Sequence, residues 1–141
     1  MAAYPKSYLA EIVENQGKLF ELVSDSNPQI DMEDFIKKYM VGKTRMFLDR
    51  ADAYLSNMDS KELYEFFCRI DSFTPRKGRN IDGFRPNWIG QFYAYYQWQT
   101  GLSSKKVLEK LPIDFMEASY YGLHDLDLDL AVTKIQQAEV A

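Results

Sequence analysis

The segment Phe84-Arg-Pro-Asn-Trp-Ile-Gly-Gln-Phe-Tyr-Ala-Tyr-Tyr-Gln-Trp98 constrains this chain more than any other. Seven of its fifteen residues are aromatic. Rings at that density must find burial or a partner surface, because each removes a large apolar area from water. Pro86 lacks an N–H and suits the first turn of a helix, where that donor has no partner. Gly101 supplies a left-handed stop, so the spacing predicts a helix to Thr100. Trp88, Phe92, Tyr95 and Tyr96 form its broad apolar face. Asn87, Gly90, Gln91, Ala94 and Gln97 form a narrow face of small and amide side chains. One reading is a central helix crossed closely by another over Gly90 and Ala94, and helical aromatic stripes favour it. The other is a ligand groove in which Gly90 and Ala94 admit a partner and Gln91 and Gln97 supply amide contacts.

Further helices follow on either side. Leu9, Ile12, Val13, Phe20 and Val23 share one face from Ser7 to about Val23, before Ser-Asp-Ser-Asn-Pro28 breaks the pattern. Asp31 caps a segment whose face is Phe35, Ile36, Tyr39 and Met40, and Met46 and Phe47 continue the stripe past Gly42 as a kinked pair. Asp59 with Glu62 forms a capping box, Met58 staples onto Leu63, and the face Leu63, Phe66, Phe67, Ile70 follows. Ser103 caps a helix that ends before Pro112. Asp114 with Glu117 reads as a second capping box, opening a short helix that ends at Gly122. A last helix starts near Asp125 with Leu128, Ala131, Val132 and Ile135 on one face, and the tail 136–141 is expected to fray. The expectation is an all-α single domain over residues 1–141, a compact bundle of about six or seven helices around the aromatic one. The basic loop 71–83 is expected to be its mobile part, since Arg76 to Asn80 contains no apolar anchor.

Charge and cysteine content narrow the function. With 141 residues, a net charge of -4 and a pI near 5.0, the chain is neither a general nucleic-acid coat nor a polybasic membrane anchor. One cysteine, Cys68, excludes an internal disulfide and a multi-cysteine zinc site. Neither a secretory leader at Met1–Pro5 nor an 18-residue apolar run is evident, so a cytoplasmic, soluble protein without membrane contact is expected.

Charge is unevenly divided. From Arg69 to Arg85 five cations face two carboxylates, and Arg76, Lys77, Arg79 and Arg85 offer a grip on phosphate or an acidic protein surface. A solvated loop is the plainer reading. From Asp114 to Asp129 there are five carboxylates and no lysine or arginine. Asp125-x-Asp127-x-Asp129 resembles the start of a calcium loop, but Leu130 stands where glycine is needed and Gln136 where the bidentate glutamate belongs. Helix-start charge explains these acids better, and no metal or cofactor is expected. The two patches can pair within one chain or between protomers. His124, the sole histidine, could join Asp125 or Asp127 and Ser119 in a hydrolase triad, yet no nucleophile-elbow motif accompanies it.

Asp82 to Trp98, Ser103 to Pro112 and Gly122 to Asp127 together resemble small, uncharacterised helical proteins of gut Firmicutes. The resemblance covers roughly the last two thirds of the chain. It implies a bacterial protein from a toxin–antitoxin-like or mobile gene neighbourhood, and it brings no catalytic residues with it. The expected function is a non-enzymatic protein-binding or regulatory module that engages another protein or a second copy of itself. Arg76, Lys77, Arg79, Arg85, Asn87, Gln91, Tyr93, Gln97, Tyr120, Tyr121 and His124 are its candidate contact residues. The alternatives are a DNA-binding regulator using loop 76–85 and a small-molecule enzyme with His124 in a pocket.

Overall fold

A computed structural model describes residues 6–49 and 58–140 of the chain. They form eight α-helices: α1 (Leu9–Ser26, entered through a 3-10 turn at Lys6–Tyr8), α2 (Met32–Val41), α3 (Lys43–Asp49), α4 (Ser60–Ile70), α5 (Arg85–Thr100), α6 (Ser104–Lys110), α7 (Ile113–Leu123) and α8 (Leu128–Val140). The fold is all-α, and an isolated antiparallel bridge between Ile30 and Lys77 is its one β feature among the described residues. The expected kinked pair is α2 and α3. Gly42 leaves the helical region between them, at φ -84° and ψ 173°.

The aromatic helix is the axis of the molecule. Ten of its sixteen residues are buried. α1 lies across it at the small-residue face, where Gly17 and Gly90 meet. A methyl group on Gly90 would sit 2.7 Å from the Gln16 carbonyl oxygen and 3.0 Å from the Gly17 Cα. Only glycine permits that approach, and Gln16 completes it by donating from Nε2 to the Gly90 carbonyl at 2.7 Å. A second layer of rings closes the core between α1, α2 and α4. Phe20 meets Phe35 at 5.7 Å, Tyr39 meets Phe67 at 5.3 Å, and Phe73 from the following loop meets Phe67 at 5.1 Å.

Local signals place most helix ends. The Asp59–Glu62 capping box is complete, and Asp31 and Ser103 cap α2 and α6 through the amides of Asp34 and Lys106. Gly101 stops α5 at φ 74°. The end of α4 is less expected, with Ser72 at φ 53° taking the left-handed position usually held by glycine. The helix α3 has a distant cap. Asp71 accepts from the amides of Lys43 at 2.6 Å and Thr44 at 3.1 Å, and from the Thr44 hydroxyl at 2.6 Å.

Three boundaries differ from the sequence reading. The second capping box does not form. Pro112, with φ -57° and ψ 153°, takes the cap position and starts α7 two residues earlier, so Asp114 lies inside the first turn and its carboxylate accepts from the Phe115 amide. Glu117 is consequently free to face another element. The helix passes through Gly122 and closes on His124, whose amide bonds the Tyr120 carbonyl. The last helix begins at Leu128 rather than Asp125 and continues to Val140, with Gln99 donating to Gln136 at 2.7 Å across to α5.

Candidate interaction surface

Loop 71–83 is strapped onto the α1–α2 turn. The amide of Asp31 bonds the Arg76 carbonyl, that of Gly78 bonds Gln29, and that of Met32 bonds Arg79. Asn80 donates to the carbonyls of Ser24 at 3.0 Å and Pro28 at 3.3 Å, while the Ser24 hydroxyl donates to Ile81 at 2.7 Å. Phe73 and Ile81, at the two ends of the loop, are buried in the main core. Arg76–Asn80 itself holds no apolar anchor, as the sequence suggests. The apolar anchors flank Arg76–Asn80 rather than lie within it, and backbone bonds hold what lies between.

The cations of this loop face carboxylates of the same chain. Arg79 is bidentate to Glu117 at 2.9 and 2.8 Å, and that partner raises the guanidinium above its already high ordinary value. Arg85 reaches Asp82 at 2.7 Å and Arg76 reaches Asp34 at 3.6 Å. Lys77 is exposed beside Arg76 on an open groove of about 380 Å³ with Pro28 and Pro75. The Arg79–Glu117 pair joins the basic loop to the acidic third of the chain.

Most of the aromatic helix candidates are spent internally. Tyr93 is fully buried and donates to the Leu111 carbonyl at 2.6 Å, which corrects its expected place at the surface. The α6 end that Pro112 terminates leaves that carbonyl unbonded, and the phenol satisfies it. Gln97 is fully buried too; it accepts from Arg45 at 2.6 Å and donates to Asp49 at 3.0 Å. Burial pushes the Asp49 carboxyl up, against the opposing pull of Arg45 and Gln97. Asn87 donates to Glu21 at 3.1 Å and accepts from Gln91. Of the amide face, Gln91 reaches an open groove, of about 440 Å³, shared with Leu9, Val13, Tyr95 and Leu128. Tyr95 there is a residue the sequence reading assigned only to the core.

The remaining candidates gather on α7. Trp88 of α5 lies edge-on to Tyr120 at 5.6 Å, Tyr120 stacks on His124 at 4.4 Å, and Tyr121 meets Tyr120 edge-on at 5.5 Å. His124 donates from Nδ1 to the Tyr120 carbonyl at 2.8 Å, and its Nε2 faces Asp125 at 3.1 Å. Those contacts fix the ring, so the aromatic row runs from core to surface with Tyr121 outermost, 69% exposed. Among the described residues no serine or cysteine bonds His124, and the triad does not assemble. Cys68 is half-buried on α4, and burial pushes its thiol up, away from the reactive thiolate. No group of three or more His, Cys, Asp or Glu comes together among the described residues, and no helix there is long and apolar enough to cross a membrane. Comparison with protein-family models, curated proteins and solved structures returns no match to this chain.

Proposed function

We propose that this chain is a non-enzymatic interaction module whose contact surface is the acidic, aromatic face formed by the end of α7 and the turn into α8, presented to a basic segment of a partner protein. The observation that carries the reading is Tyr121, an exposed ring that meets the edge of Tyr120, itself stacked on His124, within a stretch devoid of lysine and arginine. A tyrosine face attracts arginine or lysine, and the surrounding Asp125, Asp127 and Asp129 steer a cationic segment toward it. A ring held against a neighbour loses little freedom on contact, which favours tyrosine at interfaces. The basic loop is the weaker surface, because three of its four candidate cations already face carboxylates of this chain. That pairing also lowers the support for a DNA-binding regulator. The resemblance to helical proteins of gut Firmicutes gives the module an antitoxin-like or regulatory role in the bacterial cytoplasm, a reducing compartment that suits its single cysteine.

The test compares columns bearing the wild type and a Tyr121→Ala, Asp125→Asn, Asp127→Asn variant, each loaded with host lysate at low salt. A species retained by the wild type, released by salt and missing from the variant column supports the reading. Retention unchanged by the triple substitution overturns it. So does tight duplex-DNA binding at physiological salt that reversal of Arg76 and Lys77 abolishes. Light scattering of the purified chain separates a foreign partner from a second copy.

A further inference from the structure

A small, partly enclosed space of about 10 Å³ lies between α1, α2, α3 and α4. Ile12, Leu48 and Leu63 supply apolar walls, and Gln16, Tyr39, Arg45 and the partly exposed Asn15 supply the polar ones. Gln16 and Tyr39 are buried to 2% and 0% exposure. The Gln16 Nε2 is committed to the Gly90 carbonyl, so its amide is oriented and its remaining polar atom is an acceptor. That atom, Oε1, and the Tyr39 hydroxyl are both inaccessible to solvent and have no hydrogen-bond partner among the described residues. Buried polar groups are rarely left so, and two of them on one small space share a common solution.

We infer that this space is a binding site for a single water molecule, which donates to Gln16 Oε1 and accepts from the Tyr39 hydroxyl. The volume is that of about one water, which needs roughly 10–15 Å³, and admits nothing larger. An anion is disfavoured by the carbonyl-type acceptor of Gln16, and a cation by the Arg45 guanidinium on the same wall. Burial pushes the Tyr39 phenol up, so it stays a neutral hydroxyl able to donate. The water joins α1 to α2 beside the α1–α5 crossing, at a place where neither side chain reaches the other.

Two measurements test this. A high-resolution crystal structure of the wild type should show one ordered water within hydrogen-bond distance of both Gln16 Oε1 and the Tyr39 hydroxyl. Absence of density there overturns the site. Oxygen-17 relaxation dispersion counts long-lived internal waters in solution, and a Gln16→Met, Tyr39→Phe variant should lose one relative to wild type. An unchanged count in the folded variant likewise overturns it. Should that variant fail to fold, the wild-type density decides alone.

Discussion

Gly90 and Gly122 both sit inside helices, yet replacing them with alanine should have opposite effects. At Gly90 the added carbon meets the backbone of Gln16 and Gly17 at 2.7–3.0 Å, and neither backbone can yield without separating α1 from α5. Gly90→Ala should destabilise the protein by about 1–3 kcal/mol, as overpacking of a close contact does. At Gly122 nothing lies within 4 Å of the added carbon. Gly122→Ala should therefore stabilise by about 0.5–1 kcal/mol, through the smaller entropy of the unfolded chain. Urea midpoints of the two variants measure both effects, and equal midpoints would contradict a crossing at Gly17 and Gly90.

At the scale of elements, the weak part is α3, a seven-residue helix that could not persist alone. Its first amides are held by Asp71 at the end of α4, so one carboxylate ties two helices that are remote in sequence. Asp71→Ala should cost about 1–2 kcal/mol, the range for a lost N-terminal cap. Amide exchange should accelerate most at Lys43 and Thr44 and less in α4. A uniform acceleration over all helices would argue against the capping role. The strap over the α1–α2 turn makes a parallel case. Asn80→Ala removes the side-chain bonds to Ser24 and Pro28. It should speed tryptic cleavage after Arg76, Lys77 and Arg79 several-fold over wild type, as local opening becomes easier. Equal cleavage rates would show that the backbone bonds suffice without it.

The whole molecule carries a pH dependence set by its interior tyrosines. Burial pushes the phenols of Tyr39 and Tyr93 well above their ordinary value of 10.0. Above that value the unfolded chain releases these protons while the folded chain retains them. Native protein then binds more protons than unfolded protein, so stability falls as pH rises. Their contribution is fully present below about pH 10 and is lost above it, with a slope approaching 1.4 kcal/mol per pH unit for each phenol. Urea midpoints should fall slightly from about pH 9, where the unfolded Cys68 thiol ionises, and more steeply above about pH 10. A Tyr39→Phe, Tyr93→Phe variant should drop less steeply, and an identical slope would refute the assignment. The same global packing supports the proposed surface, since Trp88 in the core braces Tyr120 and, through it, Tyr121.

What the sequence alone determined are the features that close within one or two turns of chain. The all-α class, the aromatic helix from Pro86 to Thr100, the stop at Gly101, and the caps at Asp31, Asp59 and Ser103 are all of this kind. Each rests on a side chain meeting a backbone group about three residues away, or on a residue's own dihedral preference. Pro112 shows the margin of error: with its fixed φ it took the cap position two residues before the plausible box at Asp114. Tertiary structure decided where the polar groups went. Tyr93 turned inward to Leu111, Gln97 was taken by Arg45 and Asp49, and Arg79 was paired with Glu117, 38 residues along the chain. Tyr121 stayed outside although it is the same residue type as Tyr93. Residue type cannot separate those two fates. They follow from which neighbour each ring meets: Tyr93 of α5 faces the Leu111 carbonyl at the end of α6, whereas Tyr121 of α7 meets only the edge of Tyr120 among the described ring contacts.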